Sequence, residues 1–354
     1  MTRAKTTRPW RVAVLGLGHW YSAYGLARGL AEHRDAQLVA AAWPDAAQLD
    51  AFASTFGVKA YSDYDELLRR ESVDIVHIAT PVSEIADLTV RCAQAGKHLI
   101  VGKPMAMTLD DADRMVQAVE RADVCCFPLQ GLMRLRLADL KPRIEAGEIG
   151  SIVVLHQTCR WSIAEDWFRS GRPGWFVDPN KVPGGAFIDE GIYWIDALRW
   201  LTGSEVVDVD GRVANLVHKE LPVEDWGQAT LTFANGVVAT LEASWTINAP
   251  RTTGPSPKYN SVVRLEIVGT RGEIHEQWFR APGRAVLAAG AADWVFERQS
   301  EEPFAPATAA PLAHLIDCVE HGRQPAATIR DARTALAVAF AVYRSARERR
   351  RVPV

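Results

Sequence analysis

Cysteine is scarce and unpatterned in this chain of 354 residues. The five cysteines, Cys92, Cys125, Cys126, Cys159 and Cys318, show no C-x-x-C spacing. Neither a disulfide framework nor a zinc site is expected, and reduced, buried thiols are. No apolar run approaches the roughly 20 residues that a membrane-spanning helix needs. Charge of one sign is lacking too. Forty Lys and Arg stand against 43 Asp and Glu, for a formal net charge of −3, which removes the electrostatic reason to expect nucleic acid or an anionic membrane as partner. The expected partner is therefore a small molecule. The opening MTRAKTTRPW has basic residues but no apolar signal region and no small-residue cleavage site, so a cytoplasmic location is expected. What remains is globular composition, 48% hydrophobic and 23% charged. At roughly 150 residues per domain, the length predicts two unequal domains.

The first third alternates short β-branched runs (VAVLGLG, LVAAAW, VDIVHIAT, HLIVG) with amphipathic stretches (YGLARGLAEH, AAQLDAFASTF, IADLTVRCAQA, DDADRMVQAVERA). That alternation predicts βαβ units on a parallel sheet, a doubly wound domain over residues 1–131. Beyond Gly131 longer alternating strands take over, among them SIVVLHQTCRW, GQATLTFANGVVATLEASW and SVVRLEIVGTRGEI. Asn235-Gly236 is a hairpin signal and Thr270-Arg271-Gly272 marks another tight turn. Residues 132–354 are thus expected to form an α/β domain with a mainly antiparallel sheet, its final helix packing against either domain. The segment NAPRTTGPSPKYN, from Asn248 to Asn260, is expected to be a loop.

Five places carry candidate chemistry. In Gly16-Leu17-Gly18-His19-Trp20-Tyr21, between the first strand and first helix, Gly16 permits a tight turn and Gly18 a close phosphate approach, with His19 and Trp20 opening the helix. The second strand ends Ala42-Trp43-Pro44-Asp45, without the acid expected for an NAD ribose. Trp43 suits either an adenine face or a core position, and Asp45 either the ribose or a helix N-cap. NAD against NADP stays open. Lys103, in Val101-Gly102-Lys103-Pro104, ends a strand at the carboxyl edge of the parallel sheet, where a cation can polarise a substrate oxygen, with Thr80-Pro81 following the preceding strand. In GGAFIDEGIYWID a helix places Asp189, Tyr193 and Asp196 on one face. Upstream, Trp161, Arg172 and Trp175 belong to an aromatic stretch that suits a sugar-binding wall or simply pins a loop.

With these motifs in place, the chain resembles the glucose-fructose oxidoreductase, inositol dehydrogenase and rhizopine-catabolism dehydrogenase family, Gfo/Idh/MocA. The glycine turn, Thr80-Pro81, Ala95-Gly96-Lys97-His98, Lys103-Pro104, Glu145-Ala146-Gly147-Glu148-Ile149-Gly150 and GGAFIDEGIYWID follow in family order. It departs from the pattern at Gly102, where a glutamate is usual, at Tyr193, often a histidine, and at Tyr21, in place of a third glycine. The resemblance implies an N-terminal Rossmann domain, and a C-terminal α/β domain whose open antiparallel sheet serves a homodimer or homotetramer. It also implies NAD(P)-dependent oxidoreduction of a sugar, polyol or related compound, with no metal. The cofactor would lie against Gly16, Gly18, His19, Trp20, Trp43, Thr80, Pro81, Lys103 and Pro104, the Lys103-Pro104 bond being cis. Tyr193 is expected as general acid/base, Lys103 as the cation favouring its phenolate, and Asp189 as orienting group or sugar ligand. Two alternatives remain open: a nucleotide-binding regulatory protein on the same fold, and an enzyme that uses bound NAD transiently for elimination or hydrolysis.

Overall fold

A computed structural model describes residues 8–31, 33–161, 174–247, 261–278, 283–297 and 309–354. The Asn248–Asn260 loop expectation and Arg172 lie outside the described residues. The chain divides into two compact units, the first running to Leu132 and taking Asn180–Pro183 and a C-terminal stretch that ends at Arg333, the second beginning at Met133 and including Thr334–Val354. The first unit alternates strand and helix: β1 (Trp10–Leu15), α1 (Trp20–Ala31), β2 (Ala36–Ala42), α2 (Ala46–Phe56), β3 (Lys59–Tyr61), α3 (Tyr64–Arg70), β4 (Ile75–Ile78), α4 (Val82–Gln94), β5 (His98–Val101), α5 (Leu109–Ala122) and β6 (Cys126–Pro128). The strands form a parallel sheet of order β3-β2-β1-β4-β5-β6. This is the Rossmann arrangement, with its switch point between β1 and β4. Val12, Val14, Ile75, Ile78, Leu99 and Val101 are almost wholly buried, as strands covered on both faces require.

The second unit follows with α6 (Leu132–Arg136), α7 (Leu140–Glu145), β7 (Ile152–Arg160), α8 (Ala186–Thr202), β8 (Val206–Ala214), β9 (Trp226–Phe233), β10 (Val238–Ser244), β11 (Val262–Gly269), β12 (Glu273–Trp278), β13 (Gly283–Leu287) and β14 (Val295–Glu297). After α9 (Ala309–His321) come α10 (Ile329–Glu348) and β15 (Val352–Pro353). The sheet has nine strands in the order β14-β13-β12-β11-β7-β10-β9-β8-β15. It is mainly antiparallel but mixed, because β7 and β10 run parallel. The β9–β10 hairpin turns at Asn235-Gly236, where Gly236 adopts φ +89° and Asn235 Oδ1 accepts from the Val237 amide at 3.2 Å. Alternate residues Leu155, Ala239, Leu241, Leu231 and Leu265 are buried, on the face that α8 crosses. The final helix is shared: α10 belongs to the first unit through Arg333 and to the second from Thr334. All five cysteines are outside disulfides, four of them buried. No described helix is long and apolar enough to cross a membrane.

Candidate active site

In the first unit, the candidate residues gather at the carboxyl ends of the parallel strands. Gly16 has φ +91°, and a side chain there would collide with Thr80 Cγ2 and sit 2.8 Å from the Thr80 amide nitrogen. The turn is pinned on both sides. The Gly16 amide donates to Ala42 O and the His19 amide to Ala79 O, each at 2.8 Å. The Gly16–Gly18 turn and Thr80-Pro81 therefore adjoin across the switch point, where α1 begins at Trp20 and offers helix N-terminal amides. Thr80 Oγ1 is buried and has no hydrogen-bond partner among the described residues, a capacity that a bound ligand would satisfy. These features fit a dinucleotide.

His19 is fully buried, under a T-shaped contact with the Tyr21 ring at 5.1 Å. Burial, reinforced by Lys103 and His77, holds its imidazole well below the usual pKa. Trp20 is 38% exposed. Trp43 is half-buried, its indole donating to Gln48 Oε1 at 3.1 Å. Asp45 is the N-cap of α2 and accepts from the Gln48 amide at 3.0 Å. Lys103-Pro104 is cis, and the Lys103 side chain is buried rather than pointing into solvent. At Gly102 a β-carbon would lie 3.1 Å from Ile85 Cδ1 and 3.2 Å from Ile78 O, so the position leaves little room for the glutamate usual there.

In the second unit, α8 presents Asp189 and Tyr193 one turn apart. Asp189 is buried, and its Oδ2 accepts from the Trp245 indole at 3.3 Å. Tyr193 is half-buried. Arg136, on α6, is close enough for its charge to interact with Tyr193, while burial lowers the guanidinium's pKa. Asp196, further along the same helix, is fully buried in a bidentate pair with Arg134, both contacts at 2.7 Å. It holds α6 on α8 and presents no carboxylate to a ligand. Trp161 donates to Cys159 Sγ at 3.0 Å and packs on the Val177, Ala186, Leu221, Val223 and Trp245 cluster. Trp175 stacks on Phe176 at 3.9 Å. Two groups without any sequence signal, Glu224 and Tyr343, close the N-terminus of α8. Glu224 accepts from the Gly185 and Phe187 amides at 2.9 and 3.1 Å and from the Tyr343 hydroxyl at 2.6 Å.

A Rossmann sheet with a dinucleotide-fitting turn and a buried lysine at its carboxyl edge defines an NAD(P)-dependent oxidoreductase. The family models agree: residues 10–129 match the oxidoreductase family with NAD-binding Rossmann fold, and residues 137–275 the GFO/IDH/MocA C-terminal domain. The chain belongs to the Gfo/Idh/MocA family. It is similar to the scyllo-inositol 2-dehydrogenase (NAD(+)) of Bacillus subtilis, 30% identical over 346 residues, covering 95% of this chain and 94% of that one. The myo-inositol 2-dehydrogenase of Thermotoga maritima is 28% identical over 97% of this chain and 98% of its own. Among solved structures, the WlbA dehydrogenase from Bordetella pertussis, in complex with NADH and UDP-GlcNAcA, has a TM-score of 0.80 at 25% identity, covering 99% of each chain.

Proposed function

We propose that the chain interconverts a secondary alcohol and a ketone on a sugar or cyclitol. The buried cation Lys103 at the carboxyl edge of the parallel sheet, 2% exposed, carries this reading. The inositol dehydrogenases to which the chain is similar over nearly its whole length support it. Bound NAD(P) would supply the hydride acceptor or donor. Gly16, Gly18, His19, Trp20, Trp43, Thr80, Pro81, Lys103 and Pro104 would hold it. Lys103 stabilises negative charge on the substrate oxygen and on a phenolate. Tyr193 moves the hydroxyl proton: a phenol donates to a carbonyl and, as phenolate, accepts from an alcohol. The Arg136 guanidinium, whose charge interacts with Tyr193, is a further cation of the second unit available to that phenol. Asp189, fixed by Trp245, orients a substrate hydroxyl. Trp161 and Trp175 contribute aromatic faces for sugar C–H surfaces.

With Asp45 engaged as a cap and no other acid at the end of β2, the preference between NAD and NADP is weak. The enzyme works in the cytoplasm as a homodimer or homotetramer assembled through the face of the nine-stranded sheet opposite α8. The test is absorbance of reduced nicotinamide with NAD+ and NADP+ across myo-inositol, scyllo-inositol, glucose and a glycoside, together with calorimetric titration of both cofactors. Reduction of either cofactor by a cyclitol or sugar is the expected result. Binding of neither cofactor, with no turnover on the whole panel, overturns the proposal.

A further inference from the structure

The N-terminus of α8 is closed by a carboxylate that comes from another part of the chain. A helix leaves its first N–H groups without intrahelical acceptors, and a side chain at the cap usually serves them. Here the cap residue is Gly185, which has no side chain to offer. Glu224, just before β9, supplies both carboxylate oxygens, Oε2 to the Gly185 amide at 2.9 Å and Oε1 to the Phe187 amide at 3.1 Å. Its backbone carbonyl takes the Ala186 amide at 2.9 Å. Tyr343, on α10, donates its hydroxyl to Glu224 Oε1 at 2.6 Å and accepts from the Ile188 amide at 3.2 Å. Four consecutive amides, Gly185 to Ile188, are thus served by two residues. The glycines before α8 are needed for this: a β-carbon at Gly185 would collide with Glu224 O, and one at Gly184 with the Tyr343 hydroxyl.

The next residue along α8 is Asp189, and Tyr193 lies one turn further. The same short segment reaches Asp189 by a second route: Asp225 O accepts from the Trp245 amide at 2.7 Å, and the Trp245 indole donates to Asp189. Glu224 is 8% exposed, and the Tyr343 hydroxyl is held between Glu224 Oε1 and the Ile188 amide, so both groups are already engaged by the helix end. We propose that Glu224 and Tyr343 are positioning residues that set the register and tilt of the first turn of α8, and through it the placement of Asp189 and Tyr193. Their role in turnover rests on the oxidoreductase reading above. A buried carboxylate at a helix N-terminus combines hydrogen bonding with a favourable interaction with the helix dipole. A short side chain at residue 185 cannot replace it, because the space is already filled.

Tyr343→Phe removes one hydroxyl and keeps the ring; Glu224→Gln keeps the shape and removes the charge. Each variant is read in two ways in the full-length protein. The first is the 15N-indole resonance of Trp245, assigned with Trp245→Phe, which reports on the Asp189 contact without any substrate. The second is steady-state kinetics with NAD+ and the best substrate of the panel. We expect the Trp245 resonance to move in both variants, and kcat to fall about tenfold while the dissociation constant of NAD+ stays within twofold. Glu224→Gln, which keeps an acceptor oxygen, retains more activity than Glu224→Ala. A wild-type Trp245 resonance in both variants overturns the proposal, as does wild-type kcat in both. If wild-type protein turns over nothing on the panel, the oxidoreductase reading fails, while the Trp245 resonance still decides whether the pair positions α8.

Discussion

Single buried side chains make the sharpest commitments in this molecule. His77 lies inside the parallel sheet with Nε2 3.2 Å from Ser22 Oγ, and burial lowers its imidazole from 6.5 to about 4. Between those values the unfolded chain binds a proton that the folded chain refuses. Stability is therefore present at neutral pH and is lost as pH falls from about 6.5 towards about 4, by up to roughly 3 kcal/mol. His19, displaced in the same direction, adds to the loss. Urea midpoints measured from pH 7 to pH 4 should decline, and His77→Gln should flatten part of the decline; midpoints independent of pH would contradict this account. At the candidate site, Tyr193→Phe keeps the ring and removes the transferable proton, so turnover should fall by roughly 10²–10⁴-fold with cofactor affinity nearly unchanged. Lys103→Met should act similarly, since lost charge stabilisation weighs on the transition state more than on nucleotide binding. Near-wild-type turnover in both variants would assign the chemistry to other residues. Neither role could be weighed from residue type alone, because a lysine before proline and a tyrosine on an amphipathic helix have ordinary structural uses. The burial of Lys103 and the cation beside Tyr193 are what the fold adds.

Elements were legible where a local pattern states its own partner, and illegible where the partner is remote. The βαβ order, the Asn235-Gly236 hairpin and the span of α8 follow from periodicity and turn chemistry within a few residues of each feature. The parallel pairing of β7 with β10 does not, since alternation is the same in either direction. The helix face carrying Asp196 was readable, but its use was not: Arg134 lies 62 positions away. Asp45 was ambiguous for a different reason, because a capping acid and a ribose acid occupy the same place after β2. Its observed bond to the Gln48 amide makes a direct prediction. Asp45→Ala should lower stability by about 1 kcal/mol, as loss of an N-cap does; an unchanged denaturation midpoint would remove the capping role. The Arg134–Asp196 pair should be costlier. Arg134→Met leaves the buried Asp196 carboxylate with only its 3.6 Å contact to Arg199 as charge partner and should cost up to about 3–5 kcal/mol, whereas Arg134→Met with Asp196→Leu removes the carboxylate as well and, with Arg199 still paired to Glu205, should recover much of that loss. Chemical denaturation of the two variants checks it, and a double variant no more stable than the single one would mean that the pair contributes through packing rather than charge compensation.

At the scale of the assembled protein, the nine-stranded sheet raises the remaining question, because α8 packs on one of its faces, against β7, β9 and β10, while the alternate residues of the other face are only part-buried or exposed. The opposite face carries alternate residues that are neither wholly apolar nor wholly charged: His156 on β7, Thr240 and Glu242 on β10, Arg264 and Glu266 on β11, and Trp226 on β9. An antiparallel sheet can leave one face to water, so a polar face by itself is no argument for pairing. Here, however, the row is interrupted by Val154, Val238, Val262 and Val268, and its charges come in both signs. His156 sits between Thr240 on one side and Glu266 on the other, and His156 Nδ1 lies 2.8 Å from Thr240 Oγ1. A two-fold axis through such a face would set each strand's mixed row against a copy of itself, which is the self-complementary contact of an isologous dimer. A stable interface needs about 800 Å² from each partner, an area that several neighbouring strands of this length can supply. Light scattering at micromolar concentration should therefore give twice or four times the mass of one chain. Thr240→Lys, which puts a cation beside His156 in the middle of the face, should shift the population towards the single chain. A wild-type mass equal to one chain at that concentration would remove the sheet face as an assembly surface.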